Sequence, residues 1–210
     1  MLPAGNGVKE AGRIAAVSAR RLSVDPLTAA WRLLGATLVG RGVSAMIVEV
    51  EAYQGVGDRA AHSFGGRRTP RNEVMYGVGG RVYVFFIYGM YYQLNVVSGP
   101  ADHPHAILIR GVEPIEGIQI MRARRGEMKD VNLTSGPGKL AIAFGISREH
   151  NGADLNGEDI WIEEYRTFAK KEIEIGKRIG VEYAGEDAER QLRFWVKGNR
   201  FVSKLTKPTG

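Results

Sequence analysis

The chain has no cysteine in 210 residues, which removes disulfides, thiolate zinc sites, cysteine nucleophiles and cysteine-ligated iron–sulfur clusters together. It has no apolar run of the roughly 18 residues that a membrane span requires, and its first 21 residues lack the continuous apolar core of a secretory signal. The expected setting is therefore intracellular, with no membrane partner. Histidines number only four. Two of them, His103 and His105, flank Pro104 without a third ligand at metal-like spacing, so no metal site and no cofactor is expected. No internal repeat and no linker divides the sequence. Glycines and scattered alanines make residues 1–21 a poor core, so one domain is expected over residues 22–210 behind a poorly structured lead.

What is present supports a folded, basic domain. Hydrophobic residues make up 44% of the chain, enough for a sizeable core. Lysine and arginine number 29 against 23 acids, a net charge of +6, which favours a polyanionic partner. Asp25-Pro26 begins a helix, with Leu27, Ala30, Trp31 and Leu34 on its apolar face and Gly35 ending it. Residues 38–43 and 45–50 read as paired strands that end at Glu51. Residues 81–97 are the most β-prone stretch and fold back at Tyr88-Gly89. The first arm of that hairpin reaches about 23 Å and exposes a tyrosine at its tip. A strand over 106–110, a helix over 114–125, a short helix entered through Ser135-Gly136-Pro137-Gly138-Lys139, and strands over 160–163 and 193–196 complete the reading. Residues 182–190 read as a charged loop.

The chemistry concentrates in Val48-Glu49-Val50-Glu51-Ala52-Tyr53 and the loop that follows. Apolar residues alternate with carboxylates, so a strand delivers an acid and an aromatic ring to a loop. That loop carries His62, a Gly65-Gly66 pair and three arginines within five residues, Arg67, Arg68 and Arg71. An acid, ring systems and a basic cluster suit a substrate bearing phosphate and a flat base. Each residue also has an ordinary reading. Glu51 alone is a salt-bridged strand-end acid, Tyr53 and Phe85 are core aromatics, and His62 is a hydrogen-bonded loop histidine. Tyr88 is a hairpin-tip tyrosine, and Arg67, Arg68, Arg71 and Lys139 form a solvated face. The functional alternative makes Glu51 a base acting on water. Tyr53 or Phe85 then stacks on a nucleobase, Tyr88 wedges into a duplex, and the glycine-rich entry beside Lys139 receives a phosphate. The run Gly77-Val78-Gly79-Gly80 is not a phosphate loop, because no Gly-Lys-Ser/Thr follows and a strand comes next.

Taken in order, several motifs resemble the alkyladenine (3-methyladenine) DNA glycosylase family. They are Glu51-Ala52-Tyr53, Ala61-His62-Ser63, Arg67-Arg68-Thr69-Pro70-Arg71-Asn72, Ile87-Tyr88-Gly89-Met90-Tyr91, Asn95, Arg110 with Glu113-Pro114, and Ser135-Gly136-Pro137-Gly138-Lys139-Leu140. Arg178-Ile179-Gly180-Val181 and Leu192-Arg193-Phe194 extend the likeness toward the end of the chain. The resemblance implies a compact single-domain α+β fold with a curved antiparallel β-sheet, surrounding helices and a protruding, DNA-probing β-hairpin. It also implies a monomeric, monofunctional enzyme that flips and hydrolytically excises alkylated or deaminated purines from double-stranded DNA.

Carried over by residue, Glu51 is the general base and Arg110 helps hold the attacking water. Tyr53 and His62 sandwich the flipped base, Phe85 completes the pocket, Asn95 clashes with a guanine amine, and Tyr88 intercalates. Two departures are visible. Phe85 stands where the family pattern has a tyrosine, which keeps stacking and loses a hydroxyl. Asp187 and Gln191 replace an expected tryptophan and proline. The rival reading is a non-catalytic binder of distorted duplex, which has no use for a buried carboxylate near phosphates. A third is an RNA-processing protein, separable by whether 2′-hydroxyls support binding.

Overall fold

The computed structural model describes residues 19–87 and 89–203. After a single turn of helix, α1 (Ala19–Leu22), the capped helix expected at Asp25-Pro26 forms as α2 (Pro26–Leu33). The Asp25 carboxylate accepts the amides of Leu27 and Thr28 at 3.1 and 3.0 Å, and Pro26 occupies the first turn, where a missing amide costs nothing. Ala29, Ala30, Leu33 and Leu34 are buried and Trp31 packs on the core, while Leu27 faces solvent. The expected face is thus inward at Ala30, Trp31 and Leu34, and Leu27 departs from it. Gly35 has φ 85°, and a Cβ there would lie 2.2 Å from the Arg166 carbonyl oxygen, so only glycine fits the turn into the sheet.

The sheet is antiparallel and curls into a half-barrel. Its strands are β1 (Thr37–Gly40), β2 (Val43–Tyr53), β3 (Val82–Ile87), β4 (Tyr91–Ser98), β5 (His105–Glu116), β6 (Ile160–Glu163), β7 (Ile173–Gly176) and β8 (Arg193–Val196), running β3-β4-β5-β2-β1-β6, with β8 joining β2 to β7. Together with the helices this is the expected α+β class.

Three boundaries differ from the sequence reading. The turn between the first two strands falls at Arg41-Gly42, so Val43 belongs to β2, and β2 runs on through Tyr53. The segment from Pro114 does not start a helix. It continues β5 to Glu116, and α3 begins at Ile118 after Gly117, whose φ of 73° makes the corner. Ile115 consequently faces solvent, whereas Met121 is buried as expected. Residues 182–190 are largely a kinked 3-10 helix (Glu182–Glu189) rather than open loop.

The remaining helices, α4 (Val131–Thr134) and α5 (Pro137–Phe144), pack with α3 (Ile118–Arg125) on the sheet and bury Leu133, Leu140 and Phe144. Truncating such a side chain costs about 2–5 kcal/mol. The hairpin pairs β3 with β4 through Ile87↔Tyr91. Tyr88, expected at its tip, lies outside the described residues. Met90, before β4, is 63% exposed.

β2 organises the rest. It pairs with β5 along one edge, and along the other with β1 at its start and β8 at Glu49, Val50 and Glu51. Because neighbours cover both of its faces, nearly all of its residues are buried. The register of β2 on β5 breaks around Glu49: Glu49 pairs with Gly111 and Val50 with Ile109, so β5 sets both Arg110 and Gly111 against Glu49. A bulge of this kind sharpens local twist and re-aims a side chain.

Candidate active site

Strand alternation puts Glu49 and Glu51 on one face of β2, and both are without exposed surface. Glu51 Oε1 accepts the Ile179 amide at 2.8 Å, Oε2 accepts the Tyr53 hydroxyl at 3.0 Å, and Arg110 Nη1 lies 3.3 Å from Oε2. Burial pushes the Glu51 carboxyl above the ordinary carboxylate range. Arg110, the Ile179 amide and the Tyr53 hydroxyl pull against that push, and Glu49 adds to it. Burial, together with the charge of Glu51, likewise raises the Tyr53 hydroxyl well above its usual value, so it is a proton donor at any working pH.

Tyr53, Arg110 and Ile179, the groups that hold Glu51, line a cavity of about 580 Å³ together with His62, Tyr83, Phe85 and Asn95. A volume of this size takes a nucleobase and its sugar. The aromatic lining is layered. The His62 and Phe85 rings lie 4.0 Å apart at 35°, the Arg71 guanidinium sits 4.2 Å from the Phe85 centroid, and that of Arg178 sits 4.7 Å from the centre of Tyr53. Tyr53 and His62 are therefore each backed by a planar group. His62 Nδ1 meets the Tyr83 hydroxyl at 2.9 Å. Desolvation, reinforced by Arg71 and Arg67, lowers the His62 pKa, so the ring is neutral at pH 7. Burial holds Tyr83 protonated, its pKa pushed up to about 12. Asn95 is buried, its amide nitrogen donating to the Tyr83 carbonyl at 3.1 Å.

The basic residues divide. Arg68 is engaged locally, paired with Glu73 at 2.6 Å and Asp102 at 2.8 Å and stacked on Tyr76. Arg71 lies on Phe85 and donates to the Phe86 carbonyl. Arg67 lines a smaller cavity of about 320 Å³ that shares His62, Tyr83 and Phe85 with the first. Lys139 lines a third, of about 500 Å³, with Arg125, Arg200 and the Ser135–Gly138 entry of α5; Arg110 and Ile179 are common to this cavity and the first. Burial and the nearby Arg125 lower the Lys139 pKa. Among the described residues no group of three or more His, Cys, Asp or Glu side chains is arranged to hold a metal ion.

Several residues that hold the site were not singled out from the sequence. Asp58 and Arg178 form a buried bidentate pair at 2.6 and 2.8 Å, and Arg178 also donates to the carbonyls of Ala52 and Asp187. This pair fastens the segment whose next residue gives its amide to Glu51. Glu49 accepts from Arg110, Arg193 and Ser203, and Tyr83 fixes His62. The available signals were the Arg178-Ile179-Gly180-Val181 and Leu192-Arg193-Phe194 motifs and the second acid of the alternating run. None of these shows a partner more than 100 residues away in the chain.

The family profile described as methylpurine-DNA glycosylase matches residues 20–200. A Clostridium acetobutylicum protein named "Putative 3-methyladenine DNA glycosylase" is 47% identical over 197 residues, covering 88% of this chain and 96% of its own length. A Bacillus thuringiensis protein of the same name is 44% identical over 194 residues, covering 86% and 95%. The described helices include none long and apolar enough to cross a membrane. With its profile match spanning most of the sequence and relatives this similar along nearly their whole length, the chain belongs to the methylpurine-DNA glycosylase family and is a DNA glycosylase.

Proposed function

We propose that the protein flips alkylated or deaminated purines out of double-stranded DNA, acting as a monomer, and hydrolyses their N-glycosidic bonds with Glu51 as general base. The observation that carries this reading is a fully buried carboxylate whose three partners line a cavity of nucleobase size walled by aromatic rings. The base enters between Tyr53 and His62, with Phe85 behind His62. A purine made cationic by methylation gains from such faces beyond what a neutral one gains. Asn95 excludes the amine of normal guanine.

Chemistry on a paired base requires extrusion. Tyr88 supplies the wedge that fills the gap, and Met90 and Tyr91, a few residues on in the sequence, are exposed. Arg67, Arg71 and Lys139 hold the backbone, while Arg68, expected among them, stays tied to Glu73 and Asp102. The net charge of +6 favours association with the duplex.

In the chemical step, water adds to the anomeric carbon as the glycosidic bond breaks. The bonding pair leaves with the purine, and the proton of the water passes to Glu51. The carboxylate also stabilises the cationic sugar that develops. The Arg110–Glu51 contact, at 3.3 Å, is the loosest of the three that hold the acid, and the attacking water enters there from the cavity. No amine nucleophile takes part, so the product is an intact abasic site. A DNA binder with no chemistry to perform gains nothing from the desolvated acid, whose charge opposes the phosphates.

The test is incubation with duplexes carrying 3-methyladenine, 7-methylguanine, hypoxanthine or ethenoadenine, followed by alkali. Strand scission at the lesion is expected, and a panel in which no lesion yields alkali-labile sites overturns the reading in favour of a binder.

A further inference from the structure

Beneath the pair of Glu51 and Arg110 lies a second carboxylate that the reaction as described does not use. Glu49 Oε1 accepts Arg110 Nε at 3.2 Å, Arg193 Nε at 2.7 Å and the Ser203 hydroxyl at 2.7 Å, and Oε2 accepts the Ser203 amide at 2.6 Å. Arg193 in turn donates to the Ser203 carbonyl at 3.1 Å, and Arg110 Nη2 reaches the Ser203 hydroxyl at 3.4 Å. All four side chains are buried. Two acids and two guanidiniums balance in charge, and Arg110 is the member that touches both acids. The strand break at Glu49 is what brings Arg110 and Gly111 against it, and the space is filled. A Cβ on Gly111 would lie 2.6 Å from the Phe201 carbonyl oxygen and 3.1 Å from the Glu49 carboxylate.

Resting on the reading of Glu51 as the base, we propose that Glu49 is a positioning residue for the reaction: it fixes Arg110 from behind, and with Arg110 the edge of the site formed by Ser203, so that one guanidinium nitrogen is presented to Glu51. A guanidinium has several rotamers open to it, and a fixed acceptor on its Nε side narrows them. Arg193 shares this acceptor, Nε to Oε1 at 2.7 Å, and also holds the Ser203 carbonyl, so Glu49 ties the two guanidiniums into one buried unit. The charged and titratable groups around Glu51 are Arg110 from β5, Tyr53 and Glu49 from β2, Arg193 from β8 and Arg178 from the segment after β7.

Glu49→Ala removes both acceptor and charge, whereas Glu49→Gln leaves a carbonyl for Arg110, removes the charge and turns the acceptor facing the Ser203 amide into a donor. The assay is single-turnover excision with enzyme in excess, on whichever duplex of the lesion panel the wild-type chain cleaves fastest, followed across pH, with duplex affinity measured alongside. In Glu49→Ala the saturated rate is expected to fall about 10- to 100-fold with affinity essentially unchanged. In Glu49→Gln most of the rate returns. Its acid limb moves to lower pH, because Glu49 no longer raises the proton affinity of Glu51. A wild-type rate in Glu49→Ala, a loss carried wholly by affinity, or an unmoved acid limb in Glu49→Gln overturns the inference. Where Glu49→Ala does not fold, the Glu49→Gln limb decides alone. Active wild-type enzyme with indifferent Glu49 variants sinks this inference and leaves the glycosylase mechanism standing, while a wild-type chain that releases no base sinks both.

Discussion

Replacing Asp58 by alanine tests how the catalytic segment is held. Asp58 and Arg178 have no exposed side-chain surface, and the acid makes two bonds to the guanidinium and accepts the amides of Gln54 and Ala60 at 3.0 Å each. Without it, Arg178 keeps only the carbonyls of Ala52 and Asp187, at 3.1 and 3.2 Å. A buried charge left without its partner costs about 3–5 kcal/mol. For a chain of this length each kcal/mol moves the melting temperature by about 2–4 °C, so the variant should melt about 6–20 °C below wild type.

The double variant Asp58→Ala with Arg178→Met removes the orphaned charge and should recover part of the loss, which a double-mutant cycle read by thermal melts measures directly. The reasoning is refuted by a single variant melting within about 2 °C of wild type, less than one kcal/mol by the same conversion, or by a double variant no more stable than the single. The pair also makes a pH-dependent contribution. Burial alone would raise the Asp58 carboxyl, but the Arg178 bonds and the Gln54 and Ala60 amides hold it below its ordinary value. Its folded pKa thus lies below its unfolded one. The stabilisation is complete above the unfolded value and is lost as pH falls through the folded one, a dependence that Asp58→Ala should lack.

Tyr53→Phe keeps the ring and removes the hydroxyl that donates to Glu51 at 3.0 Å. A hydrogen bond to a charged group is worth about 1.5–3 kcal/mol. If that stabilisation belongs to the ionised acid, the acid limb of the excision rate should move to higher pH, and a limb that stays in place shows the hydroxyl is not coupled to the base. Gly111→Ala drives a Cβ into the Phe201 carbonyl and the Glu49 carboxylate. Overpacking of this kind costs about 1–3 kcal/mol, so a denaturant midpoint equal to wild type contradicts the close approach.

Much of this site was legible in the sequence because its signals are local. Alternating apolar and acidic residues up to Glu51 announce a strand that ends on an acid and a ring, and Asp25-Pro26 announces a capped helix. The β-prone run over 81–97 announces a hairpin. Glu49 and Glu51 look alike in that pattern, and alternation does not show whether their face is covered. Burial of both follows from groups distant in the chain that close over that face, Arg110, Arg193 and Ser203 on Glu49 and Arg110 and the Ile179 amide on Glu51. The extension of β5 through Pro114 was hidden for a related reason: Pro114 lies opposite Ala45 near the irregular start of β2, where the ladder tolerates a missing donor. Ion pairs such as Asp58 with Arg178, and Glu49 with Arg193, join residues separated by 120 and 144 positions. Composition and periodicity carry no information at that range.

The most direct measurement is the single-turnover excision rate of Glu51→Gln on a lesion duplex that the wild-type chain cleaves, with duplex affinity measured in parallel. Loss of a general base lowers the rate about 10²- to 10⁴-fold, and affinity should persist because the walls of the cavity are untouched. Turnover close to wild type would contradict the account, since the buried acid would then take no part in the bond-breaking step.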